Sequence, residues 1–108
     1  MTEPIIQPEY RVLLVYDIIP EEQQTYFYYM VEDFVPAMRK MGLYMIFVWE
    51  ITYGDYPQRQ LDFVCESADT LRAILTSPTF HEAEARLQAY THDYRRKVVR
   101  FSDRLLQF

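Results

Sequence analysis

Apolar residues follow two different periods along this chain, and the switches between them divide it into six segments. From Tyr10 to Ile18 almost every position is apolar, with Val12, Leu14, Tyr16 and Ile18 on one side of an extended chain and Leu13 and Val15 on the other. That pattern predicts a central strand covered on both faces. Pro20, Glu21 and Glu22 then make a helix start, because proline suits the first turn and carboxylates suit the positive end of the helix dipole. Phe27, Val31, Phe34, Met38 and Met41 recur at three- and four-residue intervals, which predicts one buried stripe on a helix that Gly42 closes in the left-handed conformation. Pro36 falls inside that helix and removes a backbone hydrogen bond, so a kink is predicted there.

Residues 43–53 and 60–66 read as two strands joined by the turn-rich stretch 54–59, an antiparallel hairpin. On the first of them Met45, Phe47, Trp49, Ile51 and Tyr53 alternate as one apolar face, continued by Leu61, Phe63 and Cys65, and this face is assigned to the core. The opposite face mixes Tyr44, Ile46, Val48 and Val64 with Glu50, Thr52, Gln60, Asp62 and Glu66, which suits an interface. Ser67 caps a short helix reaching Leu75, and Ser77-Pro78 opens another whose stripe is Phe80, Ala83, Leu87 and Tyr90. A last strand runs from Tyr94 to Phe101. The order βαββαβ with a central hairpin is the ferredoxin-like α+β plan, a four-stranded antiparallel sheet with both helices on one face. The expected organisation is a single domain over 1–108, with an N-terminal arm over 1–9 and a tail over 102–108. The uncovered sheet face predicts a homodimer, the two sheets packing about a two-fold axis into an α/β barrel.

The strand Val12 to Asp17, the helix end Phe34-Val35-Pro36-Ala37-Met38-Arg39-Lys40-Met41-Gly42, the hairpin and the helix start Ser77-Pro78-Thr79-Phe80 together resemble the dimeric α/β-barrel superfamily. That group includes stress-responsive A/B-barrel, antibiotic-biosynthesis monooxygenase, EthD-like, NIPSNAP-like and muconolactone-isomerase-like proteins. The resemblance spans nearly the whole chain and is architectural, so what it implies about activity is analogy at the level of fold.

Composition narrows the classes. Of the 108 residues 50% are hydrophobic and 17% aromatic, with ten Tyr, seven Phe and one Trp, which predicts a packed interior and excludes a disordered chain. Apolar runs such as Tyr44 to Trp49 are far short of a membrane span, and the N-terminus lacks a basic start, so no membrane association and a cytoplasmic location are expected. The single cysteine, Cys65, excludes an internal disulfide and lies where a buried thiol is expected. The formal charge of −5 speaks against nucleic acid as a partner. Charge is uneven, however: residues 93–108 carry five cations against two anions, leaving −8 on the rest.

Candidate chemistry is sparse. His81 and His92 are the only histidines. His81 stands three residues from Glu84, a spacing as common on solvated helices as in metal sites, and no metal is assigned. As a general base His81 is the leading catalytic candidate, since its ordinary pKa suits proton transfer, although a surface histidine is the simpler reading. Haem-degrading relatives of the resembled group use Asn, Trp and His, and this chain has no asparagine. With only Gly42 and Gly54, it has no phosphate-cradling loop and no Gly-x-Ser-x-Gly elbow. No cofactor is therefore assigned. The resemblance implies a substrate cleft between helices and sheet, which Tyr16, Trp49, Tyr53 and Phe63 would line. Glu50 and Asp62 are candidate perturbed carboxylates, or else pair with Arg95, Arg96 or Arg100. The favoured function is binding of a small apolar or aromatic molecule in that pocket. The alternatives are a cofactor-independent monooxygenase or isomerase and a structural or regulatory dimer.

Overall fold

A computed structural model describes the backbone of residues 8–53 and 56–100, and their side chains apart from those of 51–53, 56 and 57. Most of the arm expected over 1–9 and all of the tail expected over 102–108 lie outside the described residues. Strands β1 (Tyr10–Ile18), β2 (Tyr44–Tyr53), β3 (Tyr56–Cys65) and β4 (Thr91–Arg100) form one sheet in the order β2-β3-β1-β4. Every neighbouring pair is antiparallel. The first crossover is a 3₁₀ turn (Pro20–Glu22), α1 (Gln23–Tyr29), a π turn (Met30–Phe34) and α2 (Val35–Met41), and the second is α3 (Ala68–Leu75) followed by α4 (Pro78–Ala89). Both crossovers pack on the face of the sheet that carries Val12, Leu14, Tyr16, Leu61 and Phe63. This is the ferredoxin-like arrangement. Residues 56–59, expected in a loop, belong to β3, and β4 begins three residues earlier than expected.

Local chemistry explains most of these boundaries. Ser67 and Ser77 cap α3 and α4, each hydroxyl accepting from the backbone N–H three residues on, at Thr70 and Phe80. Gly42 ends α2 at φ 103°, in the left-handed region as expected. The disturbance expected at Pro36 appears as the π turn just before it. A wider turn accommodates the missing N–H, and α2 then starts with Pro36 in its first turn. That turn also changes which residues are buried. Tyr26, Met30, Phe34 and Met38 face the core at intervals of four, whereas Phe27 and Val31 from the expected stripe are exposed.

One irregularity reorganises the sheet. Met45 lies opposite Phe63 but Phe47 lies opposite Asp62, so Ile46 is an extra residue and β2 is bulged. Beyond the bulge the side-chain alternation inverts. Val48 and Glu50, opposite Leu61 and Arg59, turn toward the helices, while Phe47 and Trp49, opposite Asp62 and Gln60, turn to the open face. Of the core stripe expected on this strand, Met45 keeps to the helix side, Phe47 and Trp49 do not, and the side chains of Ile51 and Tyr53 lie outside the described residues; Trp49, expected in the core, is 51% exposed. β4 carries a second irregularity opposite β1, at Asp93 with φ 54°. It sends Tyr94 inward to stack on Tyr16, with ring centroids 5.9 Å apart.

The open face of the sheet presents Leu13, Val15, Tyr44, Phe47, Trp49 and Val64 around an ion pair in which Arg11 Nη2 donates to Asp62 Oδ2 at 2.5 Å. Both members are buried, and Gln60 Nε2 donates to the other Asp62 oxygen at 3.0 Å. Asp62 thus pairs with Arg11 rather than with the β4 arginines expected to meet it. Cys65 is a buried free thiol, as expected, and burial pushes its pKa up. Among the described residues no helix is long and apolar enough to cross a membrane.

Candidate functional site

The residues singled out in the sequence do not converge. Tyr16 and Phe63 point to the helix side and are fully buried, packed against other side chains of the core. Trp49 points to the opposite side of the sheet, because of the bulge at Ile46. The side chain of Tyr53 lies outside the described residues. His81 is exposed in the first turn of α4, its ring edge-on to Phe80 at 6.4 Å. Its neighbour Glu84 accepts from the Tyr94 hydroxyl at 2.8 Å and from Arg96 at 3.2 Å.

A cleft does open between the helices and the sheet, displaced toward the β2 edge. It measures about 440 Å³. One wall is the helical run from Tyr26 through Met30 and Val35 to Arg39, the other is Met45 and Val48 of β2, and Leu61 and Arg59 of β3 complete the lining. A larger depression of about 690 Å³ sits on the outer side of α1, between Pro20 and Val31. Its walls come from that helical segment alone, so it is open surface, whereas the cleft is bounded by a helix and two strands.

The bulge builds the cleft. With uninterrupted alternation Phe47 and Trp49 would fill the space under α1; with Ile46 inserted, the smaller Val48 takes that position and leaves it open. The rim carries exposed Phe27, Val31, Met45 and Val48.

A polar chain runs from the core to the cleft. The hydroxyls of Tyr16 and Tyr26 are 2.5 Å apart, and the Tyr26 hydroxyl also meets the Arg59 guanidinium. Arg59 lies against two rings, its Cζ 4.9 Å from the centroid of Phe27 and 5.8 Å from that of Tyr26. Its Nη2 donates to Glu50 Oε2 at 2.5 Å, the arginine side chain being 15% exposed and the glutamate 49%. Arg59 Nε is buried with no hydrogen-bond partner among the described residues. Burial pushes both phenols above their ordinary pKa, Tyr16 the further because Tyr26 beside it adds to the effect, and Arg59 pulls both back in part. Both are therefore neutral donors and acceptors at physiological pH.

Tyr26, Arg59, Glu50 and Val48 were not singled out as site residues that line or adjoin one cleft. One signal for Arg59 was available. Arg59, Leu61, Phe63 and Cys65 alternate along one face, so a strand extended by two residues puts a cation in line with the core stripe. No comparable signal exists for Glu50 and Val48, whose facing depends on the bulge.

No family model and no curated protein matches the chain by sequence. Solved structures do resemble it in fold. A NIPSNAP family protein from Agrobacterium tumefaciens shares 13% identity at a TM-score of 0.63, covering 94% of this chain and 93% of that one. A dimeric ferredoxin-like protein from an uncultured marine organism shares 10% at a TM-score of 0.61, covering 90% of each chain. An antibiotic biosynthesis monooxygenase candidate from Deinococcus radiodurans shares 10% at a TM-score of 0.65, covering 87% of this chain and 93% of that one. At such identities the likeness establishes the fold, in agreement with the resemblance drawn from the sequence.

Proposed function

We propose that this protein binds a small apolar or aromatic molecule in the cleft between α1 and the β2 side of the sheet, as a homodimer joined through the open sheet face. The cleft carries the first part: its apolar walls come from the first crossover and from two strands, and its volume falls in the range of small-molecule sites, roughly 300–1,000 Å³. The second part is supported by Phe47 and Trp49, large side chains left exposed beside other apolar residues on a face that no helix among the described residues covers. The dimeric ferredoxin-like neighbour has the same plan.

The test is a thermal-shift screen of apolar and aromatic compounds, run beside the solution mass. A ligand that raises the melting temperature of the wild type but not of Val48→Trp, a substitution that fills the cleft from its rim, supports binding there. A screen without any shift removes the ligand and leaves a structural or regulatory dimer. Phe47→Glu is expected to halve the solution mass, and a monomeric wild type overturns the dimer.

A second reading, catalysis as a cofactor-independent monooxygenase or isomerase, draws on the chain Tyr16, Tyr26, Arg59, which offers hydrogen-bond donors to an oxyanion formed at the cleft wall. Oxygen uptake or isomerisation with a ligand found in the screen, abolished in Arg59→Gln, would support it. His81, the catalytic candidate from the sequence, is not among the residues lining the cleft, and His81→Ala is expected to leave ligand binding unchanged.

A further inference from the structure

Building on the ligand-binding reading of the cleft, we infer that its ligand is an apolar molecule bearing one carboxylate, held by the guanidinium of Arg59. Among the described residues lining the cleft the only charged side chains are Arg39 and Arg59, and the remaining walls are aromatic or aliphatic apart from the Tyr26 hydroxyl. The described lining thus offers cations and no carboxylate, and Glu50, the glutamate that pairs with Arg59, is half in solvent. An apolar cleft whose charged lining is cationic favours an anion over a cation.

Arg59 is built for that contact. Its plane is held against Phe27 and Tyr26, which fixes the direction of its donors, and a fixed guanidinium loses little freedom when a carboxylate forks onto it. Its donors are incompletely used: Nη2 has Glu50, while Nε is buried without an acceptor among the described residues. A buried donor without a partner is costly, and a ligand oxygen that draws it into a bond removes that penalty. Glu50 can yield its place because its own carboxylate rehydrates readily at 49% exposure. The apolar part of the ligand then lies along Met30, Val35, Val48 and Leu61.

Titration calorimetry with isosteric pairs tests this: decanoate against decanamide, and naphthoate against naphthamide. In the wild type each carboxylate is expected to bind about tenfold more tightly than its amide. In Arg59→Gln that preference disappears while the amide binds as before. If Arg59→Gln fails to fold, the salt dependence of the wild type replaces it: higher ionic strength must weaken the carboxylate and spare the amide. Equal binding of acid and amide overturns the inference and leaves the apolar cleft standing. Preference retained in Arg59→Gln also overturns it, since another cation then holds the head group. Binding of neither member of either pair overturns both this inference and the ligand-binding reading.

Discussion

The hydroxyl oxygens of Tyr16 and Tyr26 lie 2.5 Å apart, and the two residues are 0% and 1% exposed. Their rings meet edge to face at 5.8 Å, so β1 and α1 are joined by both a polar and an aromatic contact. Tyr26→Phe leaves the Tyr16 hydroxyl buried without that partner and is expected to lower stability by about 1–3 kcal/mol. Tyr16→Phe costs less, about 1 kcal/mol, because the Tyr26 hydroxyl keeps Arg59. Urea denaturation of the single and double variants checks this: the double variant should lose less than the sum, and strict additivity would contradict the shared bond.

Alkaline pH should unfold this protein before its buried tyrosines ionise. Burial raises the phenol pKa of Tyr16, Tyr26, Tyr29 and Tyr94, that of Tyr29 to about 12. In the unfolded chain these groups lose protons near their ordinary value of 10.0. A pKa raised by folding contributes stability that is fully present below the unfolded value and is lost as pH rises through the folded one. Stability is therefore expected to hold up to about pH 10 and to fall above it. A phenolate absorbance titration run with circular dichroism should show these phenols ionising together with loss of structure. Early, reversible ionisation of every tyrosine in the folded protein would refute this.

The pair Arg11 and Asp62 is buried on the open sheet face. Asp62→Ala removes the carboxylate to which Arg11 Nη2 donates and is expected to cost about 1–3 kcal/mol, whereas Arg11→Met combined with Asp62→Leu should recover most of that loss. Chemical denaturation of both variants distinguishes the cases. A double variant as unstable as Asp62→Ala would show that the pair contributes more than mutual neutralisation.

Gly42→Ala places a Cβ 3.2 Å from Thr70 Cγ2 at a backbone φ of +103°. The left-handed conformation alone costs a residue with a side chain about 1–2 kcal/mol. Thermal unfolding should show that loss, and Thr70→Ser, which removes the opposing methyl, should restore only the steric part of it.

Periodicity made the architecture legible because most elements here are locally consistent. β1 alternates without interruption, Ser67 and Ser77 stand where caps are needed, and Gly42 stands where a left-handed residue is needed. Helix α1 was legible only in part, since an α-helical stripe assumes a constant turn and the π turn before Pro36 exchanges Phe27 and Val31 for Tyr26 and Met30. A cleft between helices and sheet was implied by the family resemblance, but its lining was not legible. Arg59 was assigned to a loop, and Val48 and Glu50 to the wrong face of β2.

The sequence by itself determined the order of elements, the helix caps, the buried face of β1 and β3 and the ferredoxin-like plan, because each depends on residues close together in the chain. Only the tertiary structure decided where the cleft lies and what lines it. The insertion of Ile46 is a property of how β2 pairs with β3, and one unpaired residue inverts the facing of the side chains from Phe47 to Glu50. That single shift moves Trp49 to the open face, brings Glu50 to Arg59 and leaves Val48 where a large aromatic would otherwise close the site.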